Sequence, residues 1–356
     1  MTPETMPIIE RIQNGEPVRK MDLSGFDFSG ADLSRGIFID VRGEGVTFDR
    51  CNLTQSLFQS CSFGNSQWEN AGLELASFLE CRISRGNFDH VIAQTSRWVE
   101  SDLSGSHFEG GRLSQSSWVK TNLDEVSFTG ADLEKTSFVE GSFLKTLFPG
   151  AKIIKTAFVG QNLSQAIFSG ATFHNPIFIK ATLMGLDFSK MSLPMIQASS
   201  CNLSGTRWVE SDIRLANFYG SDLTGSVFDK ANAEKALFSE SRMEGSSARG
   251  ALFKMGSFQK TSARAIDFTG ADLSFSQWRQ ADCEGADFSE SNISFGDFSH
   301  AILTKTLFRR ANLARTNFHR AQEEAADYGG SSRPLGRETD PELQEAEEFV
   351  PGNIKE

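Results

Sequence analysis

Residues 31–34 read Ala31-Asp32-Leu33-Ser34, and the block returns as Ala131-Asp132-Leu133 and Ala271-Asp272-Leu273-Ser274. Outward from these blocks, every fifth residue, at numbers ending in 3 or 8, is large and apolar with few exceptions, from Leu23, Phe28, Leu33 and Phe38 to Leu313 and Phe318. Two positions earlier the residue is usually small, as at Ala31, Ser56, Cys61, Gly141 and Ala311. The phase never slips between Met21 and Arg320, a run of sixty blocks. A fixed period of this kind marks one stacked unit rather than the two or three domains that a length of 356 residues suggests.

A period of five fits neither a helix at 3.6 residues per turn nor a strand at two. If the large residue and the small one before it both point inward, the chain must turn a corner every five residues, and four sides make a square coil of twenty. About fifteen coils would then stack to roughly 70 Å at the ordinary strand spacing of about 4.8 Å. The blocks quoted above resemble the pentapeptide-repeat family, and the resemblance covers about 85% of the chain. It implies an all-β fold, the right-handed quadrilateral β-helix.

Numbering modulo twenty gives two opposite aromatic columns: Phe28, Phe48, Trp68 and Phe88 up to Phe308, and Phe38, Phe58, Phe78, Trp98 and Trp118 up to Phe318. The other two sides are mainly aliphatic. All five Trp fall in the aromatic columns, so they read as core rather than as ligand platforms. The large slot is underfilled at Gly43, Ala93, Ala198, Ala233, Ala248 and Ala263, with Ile196 a volume exchange for Ala198. Cys51, Cys61, Cys81 and Cys201 take the small slot and Cys283 the large one, which reads as buried thiols; a Cys61–Cys81 disulfide is open on distance, and no spacing suggests zinc.

The net charge is -11, of which residues 321–356 hold -7 and the repeat body only -4. Neither a basic patch nor a membrane-spanning apolar run is present, and residues 1–20 lack the features of a secretory signal. A bacterial cytoplasmic protein without direct nucleic-acid or membrane binding is expected. The expected organisation is an N-terminal cap (1–20) with a helix from Glu4 to Gln13 stopped by Asn14-Gly15, the repeat (21–320), and an acidic flexible tail (321–356). The tail reads either as disordered chain or as a short helix over 341–349 that docks on the last coil or on a partner.

No motif of a hydrolase, metalloprotease or phosphate-binding loop is present, and the glycines fall largely at corners. The one constellation of metal-ligand types is Asp89, His90, His107 and Glu109, read here as solvated polar surface. The expectation is therefore no enzyme, no cofactor and no metal. Three surface stripes depart from the pattern. Leu79, Val99, Val119, Val139, Val159 and Ile179 make an apolar strip about 24 Å long at about 4.8 Å per coil, the candidate partner or self-association interface. Met255, Phe275 and Phe295 form an apolar corner column, a secondary interface. Asp49, Glu69, Asp89 and Glu109 form an acidic column.

The opening Ile9-Glu10-Arg11-Ile12-Gln13-Asn14-Gly15-Glu16-Pro17, followed by Met21-Asp22-Leu23-Ser24-Gly25, resembles the start of long pentapeptide proteins found with bacterial type VI secretion components. That resemblance implies a non-enzymatic adaptor or chaperone that helps load a toxin onto the secretion spike. The alternative carried by the family is a DNA mimic that modulates a type II topoisomerase such as gyrase. Charge speaks against the mimic: duplex DNA carries one negative charge per about 1.7 Å, and the repeat body totals -4. Projecting loops between coils, found in gyrase-protecting members, are also missing from the repeat.

Overall fold

The computed structural model describes residues 5–348. The chain divides into two compact units, Met1–Thr182 and Leu183–Glu356. Both are β-solenoid, and one accounting of backbone amides explains both. Within each block of five, position 3 is the large residue. The position-3 amide donates one coil ahead, as from Leu23 to the Arg42 carbonyl (2.7 Å), and so does position 5, as from Gly25 to Glu44 (3.0 Å). The position-2 amide donates one coil back, Arg42 to Met21 (2.9 Å), and the position-1 amide closes the corner three residues back, Ala31 to Phe28 (2.9 Å).

Position 5 is the corner itself. It has positive φ at glycines such as Gly25 (71°) but also at Arg35 (59°), Leu75 (60°) and Phe275 (61°). A left-handed conformation costs an ordinary residue about 1–2 kcal/mol. The bonds to the coils on either side offset that cost, because an unmade buried amide bond costs about as much.

The amide of position 4 points outward and has no carbonyl on most sides. Aspartate or asparagine at position 2 accepts it: Ser24 donates to Asp22 Oδ1 (3.0 Å), Ser29 to Asp27 (2.8 Å) and Thr54 to Asn52 (3.2 Å). This is the physical reason for the Asp in Ala-Asp-Leu-Ser, a local turn that side-chain carboxylates and amides favour. On such sides the ladder shrinks to single bridges, for example Asp22↔Arg42 and Asn52↔Gly72.

In the first unit the chain begins with α1 (Met6–Gln13), which buries Ile8, Ile9 and Ile12 and ends at Asn14-Gly15, where φ of Gly15 is 78°. The expected start at Glu4 lies outside the described residues. One side of the solenoid then carries β1 (Val18–Arg19), β2 (Ile37–Ile39), β3 (Leu57–Gln59), β4 (Ser77–Leu79), β5 (Arg97–Val99), β6 (Ser117–Val119) and β7 (Ser137–Val139). After β8 (Lys152–Ile154) come β9 (Ala157–Val159), β10 (Thr172–His174) and β11 (Ile177–Ile179). All pairing is parallel with a register of twenty, as in Phe58↔Phe78 and Phe78↔Trp98, and β8 pairs β10 on another side.

The count of about fifteen coils needs correcting where regular strands define the turns. Among the described residues of the first unit, those stacked by strand pairing number nine, β1 to β7 with β9 and β11. From β2 to β11 none of these sides has Asp or Asn at position 2. Elsewhere the side chain at that position often takes the outward amide, and single bridges replace the strand.

Among the described residues of the second unit the only strand is β12 (Gln197–Ser199), and bridges carry the twenty-residue register as far as Leu307↔Asp327 and Asn317↔Arg337. Its end is polar. Glu323 takes a large slot and accepts from Tyr328 (2.5 Å) and Arg333 (3.0 Å), while the Arg333 guanidinium lies 4.1 Å over the Phe318 ring. Beyond it, α2 runs Pro341–Glu348, with Asp340 accepting from the amides of Glu342 and Leu343; the expected last helical position, 349, lies outside the described residues.

Both cores are ring stacks. In the first unit Phe78–Trp98 and Trp98–Trp118 stack at 3.9 and 4.8 Å, and Trp98 meets Phe108 of the facing column edge-on at 90°. In the second, Phe258–Trp278 stack at 4.0 Å. Gly43 leaves no void, because the Phe63 ring fills its slot so tightly that a Cβ there would stand 2.7 Å from it. Every indole N–H finds a hydroxyl two residues earlier: Trp68 to Ser66, Trp98 to Ser96, Trp118 to Ser116, Trp208 to Thr206 and Trp278 to Ser276, at 2.7–2.9 Å. The cysteines form no disulfide among the described residues, and burial pushes the Cys51 thiol up to about 12.

Two outcomes follow from this bonding. Ser116→Ala should strand the buried Trp118 N–H and cost about 1–3 kcal/mol, whereas Ser116→Thr should retain most of the stability in thermal melts. Hydrogen bonds from Ser24 and Ser29 hold the carboxyls of Asp22 and Asp27 below their ordinary value. A depressed carboxylate contributes stability above its unfolded pKa of about 3.9 and loses it as pH falls through the folded value. The melting temperature should therefore drop between pH 5 and pH 2.5, and by less in an Asp22→Asn, Asp27→Asn double variant.

Candidate interaction surfaces

With positions 1 and 3 inside, only positions 2, 4 and 5 can meet a partner. The apolar strip occupies position 4 of β4, β5, β6, β7, β9 and β11, and its members pair in register: Leu79↔Val99, Val99↔Val119, Val119↔Val139, Val139↔Val159 and Val159↔Ile179. Leu79 to Val159 are half-buried, each shielded by the coil beside it, and Ile179 is 37% exposed. The flanking position-2 residues include Ser77, Ser117, Ser137 and Ala157, too short to screen the strip.

The corner column is more exposed. Met255, Phe275 and Phe295 are 46%, 41% and 43% accessible, all at positive φ. Phe275 and Phe295 stack at 4.8 Å, and the Arg315 guanidinium sits 5.3 Å from the Phe295 ring centre. Met195 and Leu215, also exposed with positive φ, hold the same corner position earlier in the unit, a continuation that only the modulo-twenty register reveals.

The acidic column serves the backbone in part. Asp49 Oδ1 accepts the Glu69 amide (2.9 Å), and Asp89 Oδ1 accepts the Glu109 amide (2.8 Å), so both satisfy the outward position-4 N–H of the next coil. Desolvation raises the Asp49 carboxyl above its ordinary value, against the amide bond it accepts. Glu109 also accepts from the Ser127 hydroxyl (3.3 Å).

Asp89, His90, His107 and Glu109 do not converge on a common point. The one group of three or more ligand-type side chains found among the described residues is His300, His319 and Glu347, whose ligating atoms lie within 4.8 Å of one another. The repeat register could have paired His300 with His319, which sit at and just before one corner of neighbouring coils. Glu347 follows from no period, because the tail lies outside the repeat. Elsewhere the surface offers open polar recesses, such as that lined by Ser60, Ser62, Glu80, Arg82, Glu100 and Asp102. No helix among the described residues is long and apolar enough to cross a membrane.

These features define a β-solenoid of five-residue repeats whose surface chemistry is confined to stripes. Residues 19–88 match the family description "Pentapeptide repeat region", and 101–138, 197–229, 216–254, 266–304 and 297–322 match "Pentapeptide repeats (8 copies)". The chain belongs to the pentapeptide-repeat family. No curated protein matches it. Among solved structures it is similar to HetL, a pentapeptide-repeat protein involved in heterocyst differentiation regulation from the cyanobacterium Nostoc, at 16% identity over 71% of this chain and 91% of that one, with a TM-score of 0.25. QnrB1, a plasmid-mediated fluoroquinolone resistance protein, matches at 16% identity over 70% and 93%, with a TM-score of 0.20. A pentapeptide-repeat protein of the Arabidopsis thaliana thylakoid lumen matches at 26% identity over 26% and 62%, with a TM-score of 0.19.

If Asp89 works for the backbone, Asp89→Asn keeps an acceptor and should leave the melting temperature nearly unchanged. Asp89→Ala should destabilise by about 0.5–1.5 kcal/mol, the net worth of one such bond. Equal losses in both variants would return the role of Asp89 to its charge.

Proposed function

We propose that the chain is a non-enzymatic scaffold for protein–protein interaction, and that its working surface is the strip from Leu79 to Ile179. The observation that carries this reading is the in-register line of six outward apolar side chains on paired strands. The backbone does not require it. At the same repeat position the second unit has Ser199, Tyr219, Ser239, Gln259, Arg279 and Ser299, and there single bridges hold the same register of twenty. β-Branched residues suit strands in general, but a run this long on one face withdraws polar groups from water along a flat line, as binding surfaces do. Self-association and capture of a different protein are both served by such a line, and the corner column of Met255, Phe275 and Phe295 offers a second contact.

The non-enzymatic part of the reading is supported by family matches to a repeat region rather than to an enzyme family. Nothing beyond the opening motif bears on a secretion adaptor, so the proposal keeps only the coarser interaction role. A topoisomerase-directed mimic is opposed by charge, since the repeat body totals only -4 where duplex DNA carries one negative charge per about 1.7 Å.

The test is a Val119→Lys, Val139→Lys double variant beside a Ser239→Lys, Gln259→Lys control. Sedimentation and pull-down from the native source should show that the first pair abolishes self-association or partner recovery while the control does not. Survival of every interaction in the strip variant would remove the strip from consideration, and inhibition of gyrase supercoiling at stoichiometric amounts would favour the mimic instead.

A further inference from the structure

Position 4 is half-buried or exposed in nearly every block, yet His319 at that position is only 2% accessible. The tail covers it. Glu347 of α2 is the focus of the contact: His300 Nε2 lies 3.2 Å from its Oε1, and His319 Nε2 and the Arg320 guanidinium each lie 3.4 Å from its Oε2. Arg320 also reaches Glu348 at 3.2 Å. At the start of the helix, the Asp340 amide donates to His319 Nδ1 (3.1 Å), and the Arg320 amide donates to Thr339 Oγ1 (3.0 Å).

Two histidines and a glutamate within 4.8 Å resemble a metal triad, but His319 argues otherwise. Its Nδ1 accepts an amide proton, so the proton of the neutral ring sits on Nε2 and is aimed at Glu347 rather than leaving a lone pair for a cation. Arg320 puts a permanent positive charge against the same oxygen. The site is built to receive a carboxylate.

What it receives here is held loosely. None of the described side chains of α2 is buried, and Leu343 is 48% exposed, so no apolar packing supplements the polar contacts. Exposed ion pairs of this kind are weak individually. The helix stays in place because its tether keeps the effective concentration high.

We propose that His300, His319 and Arg320 form a carboxylate-binding cradle for an acidic helix of a partner protein, and that the chain's own α2 occupies the cradle as a stand-in, so that partner and tail exclude each other. The seated occupant supplies the argument for the partner's chemistry: a short helix carrying successive carboxylates, Glu347 and Glu348, one of them gripped from three sides. The cradle is independent of the apolar strip, and either can fail without the other.

The test uses the full chain and a fluorescein-labelled peptide with the sequence of residues 337–348, followed by fluorescence anisotropy at low ionic strength. Glu347→Ala should free the cradle and raise peptide affinity at least tenfold over the unmodified chain. Adding Arg320→Ala to that variant should return the affinity to the starting level, and a peptide with Ala in place of its Glu347 should bind neither form. Equal affinity of the peptide for the unmodified chain and Glu347→Ala, or binding that survives loss of Arg320, would overturn the proposal. So would a rise in melting temperature on adding zinc chloride that Glu347→Ala abolishes, since that would assign the cluster to a cation. Retained melting temperature in Glu347→Ala and Arg320→Ala confirms that exposed side chains, not the fold, are being read.

Discussion

The structure depends on one hydrogen bond repeated at most of the large residues, from the position-3 amide to the carbonyl nineteen residues later. It fixes the coil at twenty residues, because any other length would present a side chain where the acceptor must be. It also fixes what each position can hold. Position 3 must be large to fill the interior its own amide has drawn together, and position 1 is mostly small because it too points into that interior, beside the large residues. Position 5 must accept positive φ, a conformation that Arg35, Lys120 and Phe275 adopt although they gain nothing from it locally. The ring stacks are a consequence of this ladder rather than its cause: a strand spacing of about 4.8 Å is also a favourable separation for offset aromatic rings.

That ladder explains which parts of the molecule were legible in the sequence. The period, the inward positions and the two aromatic columns are direct imprints of a strict register, and so they survive in the order of residues. The aspartates of Ala-Asp-Leu-Ser carry information too, since each answers an outward amide, though their effect on strand length appears only in the bond pattern. The hydroxyl two residues before each indole could have been found as a pattern of Ser or Thr, any residue, then Trp. It was hidden because small residues are common at position 1 for steric reasons, and a second demand on the same site leaves no separate trace.

The histidines illustrate the opposite case. His90 and His107 share a face with two acids, and spacing alone made them the stronger cluster, yet nothing draws their side chains together. Asp89 is already committed to the amide of Glu109, and its oxygen is not free to turn toward a common centre. His300 and His319 are neighbours by the register, and what completes the group is a non-repeating segment that brings Glu347 to both. A repeat predicts its own geometry and is silent about whatever folds back onto it.

A criterion for working residues follows from the same accounting. In a solenoid that satisfies its backbone coil by coil, an outward side chain is either employed by an amide or available to something else. Asp49, Asp89 and the Asp or Asn residues of position 2 belong to the first kind, and their charge is incidental to that task. Val119 and Val139 answer no backbone group, nor do the rings of Phe275 and Phe295, which occupy corners where glycine would be less strained. Residues kept at a conformational or solvation cost without a bond to the backbone are the ones that the proposed interaction role assigns to a partner. The cradle differs because its missing contribution is present, supplied from within the chain. For that reason its ligand chemistry can be read from Glu347, while the strip itself says only that its surface is apolar and flat.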